Sequence, residues 1–235
     1  DGGGWSERFD PGRGILAPLV LSTGRTALSL VAATHGDIDH AGGLAGLATA
    51  LPATIMADNG LPDDGRALAS FRAMARHRGV YRTLAAGDRI AFDGGLVLEI
   101  LSPPSPLPPD FPPDDNNRSL VFRLRYGQTT VLIVGDLSKE GERWLLKNET
   151  DLAADVLSVG HHGSASSSTA PFLDAVGADT AVINVGYRNR YRFPARSVTD
   201  RIARRGMTLY RTDQAGEVIM VSDGKTIRWT TWAEE

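Results

Sequence analysis

Four short runs rich in apolar and β-branched residues, 28–33, 129–134, 155–159 and 180–185, constrain this chain most. Each runs out through a small residue into chemically capable ones. The first leads into Thr34-His35, the second into Gly135-Asp136, the third into Gly160-His161-His162 and the fourth into Gly186-Tyr187-Arg188-Asn189. Runs of this length and composition read as strands. Helical signals alternate with them at 41–51, 63–78, 138–147, 168–176 and 194–205, with Ser138 and Ser168 as N-cap candidates. Strands alternating with helices define an α/β fold and bring the residues that follow the strands to one rim of the sheet, where such proteins place their sites. Shorter strand signals at 54–56, 89–92, 96–101, 119–126, 207–210, 217–221 and 226–229 give two strand-rich regions.

Seven prolines in residues 103–113 exclude a helix or central strand there and predict a stiff connector between two halves of a single domain over 1–235. No cysteine is present, which removes disulfides, thiolate nucleophiles and cysteine-bound zinc together. A metal would therefore sit on His, Asp, Glu or Asn. The net charge of -3 gives no global attraction to nucleic acid, so a basic binding surface has to be local. No stretch reaches the ~20 apolar residues of a membrane span, and no signal peptide opens the chain. Asp1-Gly2-Gly3-Gly4 reads like the turn after a strand, which predicts a chain cut from a longer polypeptide.

The segment Thr34-His35-Gly36-Asp37-Ile38-Asp39-His40-Ala41-Gly42-Gly43 puts four metal-capable side chains into six residues, between a strand and a helix. A capping role for Asp37 or Asp39 explains one carboxylate but not two histidines beside it. The pattern His-x-Asp-x-Asp-His-x-Gly-Gly resembles the signature loop of the metallo-β-lactamase superfamily, in its variant with Asp at the second ligand position. Asp136, after the apolar run, is similar to that superfamily's metal-bridging aspartate, and His161-His162-Gly163-Ser164 to its later histidine motif. The resemblance implies a four-layer αββα sandwich.

More narrowly, the chain resembles the carboxy-terminal domain of the ComEC family of bacterial DNA-uptake proteins. Asn116-Asn117-Arg118-Ser119-Leu120-Val121, Gly135-Asp136, His161-His162-Gly163-Ser164, Asn189-Arg190-Tyr191 and Tyr210-Arg211-Thr212-Asp213 carry it, in order. It implies that the family's amino-terminal strands would precede Asp1-Gly2-Gly3. It also implies a parent membrane channel protein, a site on the extracytoplasmic face of the bacterial cell membrane, and a nuclease that degrades one DNA strand during natural transformation. Two positions depart from the wider pattern. Asn116 and Asn117 stand where many superfamily members have a third histidine, and Arg192-Phe193-Pro194 stands where the family often has Gly-His-Pro.

By matching positions, the resemblance implies two divalent metal ions. His35, Asp37 and Asp136 would hold one; Asp39, His40, Asp136 and one of His161 and His162 would hold the other. The sequence does not distinguish the pair, and the working assignment gives His162 to the metal and His161 to general acid catalysis, with Asp39 orienting the attacking water. So many carboxylates make Mn²⁺ or Zn²⁺ the expected metals, with Mg²⁺ also compatible. Asn117, Ser164, Arg188, Arg190 and Tyr191 are the expected substrate contacts, and the 164–169 run could add amide donors to a phosphate.

Between Arg188 and Arg211 there are eight arginines and one acidic residue, Asp200, with Tyr187, Tyr191 and Phe193 interleaved. Arginine beside aromatic residues suits single-stranded DNA. Arg201, Arg204 and Arg205 read instead as a solvated helix face. The alternatives are a small-molecule or cell-wall phosphodiesterase of the same fold, and a catalytically degenerate DNA-binding module.

Overall fold

The computed structural model describes residues 2–4, 9–148 and 151–232. Asp1, part of the opening-turn reading, lies outside them. The chain divides into two compact units, Asp1–Ala85 and Ala86–Glu235. The division does not fall at the proline-rich stretch. Residues 103–113 lie inside the second unit, following one of its strands, so the connector expectation is corrected: the stretch is an ordered excursion whose Phe111 is buried against the ring of Trp144.

In the first unit a helical segment, Gly12–Leu16, leads into α1 (Ala17–Ser22). Prolines and glycines mask this helix in the sequence, and the reading assigns it no element. Then follow β1 (Leu28–Ala32), α2 (Ile38–Ala41), α3 (Leu44–Ala50), β2 (Ala53–Asp58), α4 (Arg66–His77) and β3 (Tyr81–Thr83). The three strands form a parallel sheet in the order β1-β2-β3, with Leu30 beside Ile55 and Ala57 beside Arg82. Its core centres on Val31, Leu47, Met56, Leu68, Phe71 and Ala75. The single helix expected over 41–51 is two, broken at Gly42-Gly43. A Cβ on Gly43 would stand 2.1 Å from the Gly2 carbonyl oxygen and 2.8 Å from the Gly12 amide nitrogen. The main chain is packed too closely there for any side chain.

The second unit holds β4 (Arg89–Ala91), β5 (Leu96–Ser102), β6 (Val121–Tyr126), β7 (Thr129–Ile133), α5 (Lys139–Asn148), β8 (Val156–Ser158), α6 (Ala170–Val176), β9 (Thr180–Ile183), α7 (Arg196–Ala203), β10 (Thr208–Arg211), α8 (Thr212–Ala215), β11 (Val218–Ser222) and β12 (Ile227–Thr231). Seven of these strands form one sheet, ordered β10-β9-β8-β7-β6-β5-β4. Neighbours from β4 to β7 are antiparallel and those from β7 to β10 parallel. The parallel half follows from the helices, because a strand that returns parallel to its neighbour needs a crossover of this kind. Leu145, Phe172, Leu173, Val198 and Ile202 from those helices share one core with Leu132, Leu157, Ala181 and Ile183 of the sheet. Each buried Leu, Ile or Phe contributes roughly 1.5–3 kcal/mol. Because β7, β8 and β9 run the same way, the segments that follow them leave the sheet at one edge. Asp136, the histidine pair and the arginine-rich loop therefore belong to a single rim, whereas the run that leads to His35 forms β1 of the other sheet, which corrects the expectation of one rim for all four runs.

Candidate metal centre

The first unit supplies half of the candidate ligands at the carboxyl end of β1. His35 and His40 are 3% and 4% exposed, with ring centroids 4.1 Å apart. The Thr34 hydroxyl lies 3.0 Å from His35 Nδ1 and 3.5 Å from His40 Nδ1. Each Nε2 is turned toward a carboxylate, 3.7 Å from Asp37 Oδ2 for His35 and 3.8 Å from Asp39 Oδ2 for His40. Asp37 occupies the N-cap position of α2, yet its carboxylate makes no capping bond; its main-chain oxygen accepts from the amides of His40 and Ala41. The capping explanation for this carboxylate therefore fails. The Asp63 carboxylate fills the space beside Gly36, where a Cβ would meet Asp63 Oδ2 at 1.9 Å unless that side chain turned away. Asp63, which the sequence reading passes over, thus cradles the loop while its Oδ1 accepts from the Gly65 amide.

The second unit supplies Asp136, 4% exposed, on the loop that leaves β7. Ser119 Oγ accepts from the Asp136 amide at 3.1 Å, and the Gly135 carbonyl accepts from the His161 amide at 3.1 Å. His161 Nε2 stands 3.7 Å from Asp136 Oδ2, and His162 Nε2 stands 3.7 Å from Asp136 Oδ1. The two histidines occupy left-handed backbone, with φ of 50° and 52°. Such positions cost on the order of 1 kcal/mol each and persist only where the surroundings impose them. Their imidazoles differ in what lies behind them. His162 Nδ1 donates to the Asn184 carbonyl oxygen at 2.7 Å, which fixes the tautomer with a lone pair on Nε2, as metal-binding histidines are commonly fixed. His161 Nδ1 has only the Asn116 amide at 3.5 Å, and its ring meets Phe193 edge-on at 5.8 Å.

All four imidazole–carboxylate separations exceed hydrogen-bonding length. Two ligands ~2.0–2.2 Å from one tetrahedral ion stand roughly 3.3–3.6 Å apart. The spacing and donor types on each ligand loop are thus those of candidate ligands to a divalent cation, with His35 and His40 buried and the Asp37 and Asp39 carboxylates about half exposed.

Several expected substrate contacts are engaged inside the protein. Asn117 is 1% exposed, and its Oδ1 accepts from the amides of Ser138 at 3.1 Å and Gly141 at 3.0 Å. It holds the start of α5 immediately after Asp136. Ser164 Oγ pairs with Ser166 Oγ at 2.9 Å. The amides of Ser168 and Thr169, expected to meet phosphate, are instead bound by the Glu142 carboxylate reaching across from α5. The N-cap expectation for Ser168 is corrected with them, since Thr169 is the cap residue of α6. Arg201, read as solvated, donates to the carbonyls of Ser167 and Ser168, both at 2.8 Å. Arg205 is held by Asp174 and the Ala170 carbonyl, so the solvated-face reading is corrected for both. Ser167 Oγ completes the support by donating to the Gly160 carbonyl at 2.7 Å, beneath the histidines. Arg188, Arg190 and Tyr191 are exposed.

The family described as the metallo-beta-lactamase superfamily matches residues 9–186, across both units. The chain is 32% identical over 91% of its length to ComE operon protein 3 of Bacillus subtilis (strain 168) and 34% identical over 86% to the competence protein ComA of Neisseria gonorrhoeae. It spans 27% and 26% of those relatives, about a quarter of their length. Among solved structures it is similar to a variant of the CmlA β-hydroxylase, at a TM-score of 0.54 and 12% identity over 80% of this chain and 43% of that one, a likeness of fold. The chain belongs to the metallo-β-lactamase superfamily, has its mixed α/β fold, and is related in sequence to the ComEC-type competence proteins.

Proposed function

We propose that residues 1–235 act as one metal-dependent phosphodiester hydrolase domain that cuts DNA during natural transformation. In this reading it works within a larger membrane channel protein, on the extracytoplasmic face of the bacterial cell membrane. Among the described residues no helix is long and apolar enough to cross a membrane. The observation that carries the proposal is the repeated imidazole–carboxylate spacing of 3.7–3.8 Å on both ligand loops. His35, Asp37, Asp39, His40, Asp136 and His162 would hold two divalent ions, Mn²⁺ or Zn²⁺, with Mg²⁺ also compatible with the oxygen-rich set. Such a pair supplies Lewis acidity toward the phosphodiester and activates water.

The protein's own groups do the rest. Asp39 accepts a hydrogen bond from the attacking water and orients it. His161, whose Nδ1 lacks the strong carbonyl partner of its neighbour, donates a proton to the departing oxygen. Arg188 and Arg190 meet flanking phosphates beside Tyr191. Ser164 would join the same phosphate path by releasing Ser166 Oγ, and Asn117 acts by holding the loop that carries Asp136.

Elemental analysis, together with cleavage of labelled single-stranded DNA in Mn²⁺, tests this. Wild type is expected to hold two metals per chain and to cut. Asp39→Ala is expected to lose about 10²–10⁴-fold in rate while staying folded. Cleavage of small diesters alone would favour the phosphodiesterase alternative, and DNA binding without metal or cutting would favour the degenerate module.

A further inference from the structure

The loop from Gly186 to Pro194 packs on the core of the second unit through Phe193, while its two tyrosines stay at the surface. Arg188 and Arg192 hold left-handed backbone at φ of 51° and 57°, and Tyr187 and Tyr191 are 71% and 60% exposed. A loop that combines exposed tyrosines with two left-handed arginines is unfavourable unless something fixes it. Asn189 does so. Its Nδ2 donates to the carbonyls of Gly186 at 3.1 Å and Phe193 at 2.8 Å, and its Oδ1 accepts from the Phe193 amide at 2.9 Å. The Arg192 amide closes the arch on the Asn189 carbonyl at 3.1 Å.

The arch builds a column of rings. Tyr191 stacks on Phe193 with centroids 5.5 Å apart and planes 20° from parallel, and Phe193 meets His161 edge-on at 5.8 Å. Arg190 lies over the Tyr191 ring at 4.7 Å and donates to its hydroxyl. Arg188 repeats the pairing over Tyr187 at 5.1 Å. A cation on an exposed aromatic face beside a phosphodiester site is the arrangement that holds a nucleobase and its phosphate together.

We infer that the Tyr191–Phe193–His161 column is a nucleobase-stacking subsite, held open by Asn189, which makes the site take unpaired nucleotides. The inference rests on the phosphodiesterase reading of the neighbouring site. One base stacks at the Tyr191 end, Arg190 turns to the adjoining phosphate, and the next phosphodiester falls toward His161. A base paired in a duplex stays in its own stack and cannot occupy the column. Phe193 then acts as a spacer that sets the distance from the stacked base to the histidine. Asn189 is a positioning residue, because it reaches the nucleotide only through the arch.

Binding without turnover tests this separately from cleavage. In EDTA, a single-stranded oligonucleotide bearing one 2-aminopurine and an abasic oligonucleotide of equal length are titrated with wild type, Tyr191→Phe, Tyr191→Leu and Asn189→Ala. Stacking is expected to quench the 2-aminopurine on wild type and Tyr191→Phe but not on Tyr191→Leu. The affinity of Tyr191→Leu for the base-bearing strand is expected to fall roughly 5- to 150-fold, the span set by one stacked base. Asn189→Ala should lose affinity for that strand only, with the abasic strand bound alike by all four proteins. Absence of quenching on wild type, equal quenching by Tyr191→Leu, or equal losses on the abasic strand would each overturn the inference. Quenching without any cleavage in Mn²⁺ would leave the subsite standing and remove the hydrolase reading, whereas cleavage without quenching would do the reverse.

Discussion

At the level of single residues, the centre depends on side chains that never touch a metal. Gly36 and Asp63 are one such pair. Gly36→Ala is expected to lower stability by about 1–3 kcal/mol through overpacking and to weaken metal binding. The double variant Gly36→Ala, Asp63→Ala should recover part of both losses in denaturant melts and metal titrations, as coupled neighbours do. Asn117 is another. Asn117→Ala leaves the buried amides of Ser138 and Gly141 without their acceptor, and urea unfolding should show a loss of about 1–3 kcal/mol. The ligand-rich loop was legible because four metal-capable residues crowd six positions, and Asp136 because of its order behind an apolar run. The parts played by Asn117 and Asp63 were not. An asparagine in a motif looks the same whether it faces substrate or caps a helix, and a carboxylate 27 positions from Gly36 leaves no local signal of a close approach.

Secondary-structure elements show the same division between local and distant causes. The strands that carry the site could be read directly, since β-branched apolar runs need no tertiary partner to be recognised. Where a distant segment decides the outcome, the sequence misleads. Gly42-Gly43 reads as part of a helix until Gly2 and Gly12 are packed against it, and the prolines of 103–113 read as a divider although the second unit encloses them. The start of α6 is decided from α5, by Glu142, whose carboxyl is held above the usual range by burial while hydrogen bonds from Thr169 and Ser168 and the charge of Arg201 oppose the rise. A carboxyl raised on folding contributes stability that is fully present below its unfolded value and is lost as pH rises through its folded value. Thermal melts should therefore show the stability of wild type relative to Glu142→Gln falling as pH climbs from the ordinary carboxylate range through the window above it. A difference independent of pH would show that Glu142 titrates alike folded and unfolded.

For the whole molecule, the net charge of -3 sets how it meets a polyanion. Arg201, Arg205 and Arg211 are engaged with their own chain, Arg211 with Asp213 at 2.7 Å, so the basic surface left for the proposed DNA substrate is far smaller than eight arginines suggest. If Arg188 and Arg190 neutralise two phosphates, log Kobs for single-stranded DNA should fall with log salt at a slope of about -1.4. A slope several times steeper in a fluorescence titration would point to a basic surface elsewhere. Overall charge gives no view of this, because it sums arginines that grip carbonyls with arginines that face solvent. The central proposal is that His35, Asp37, Asp39, His40, Asp136 and His162 are the ligands of two divalent ions. Anomalous diffraction from crystals grown with Mn²⁺ tests it most directly: the account predicts two peaks ~3.5–4 Å apart, both within bonding distance of Asp136, and crystals with no peak, or with a single peak away from Asp136, would contradict it.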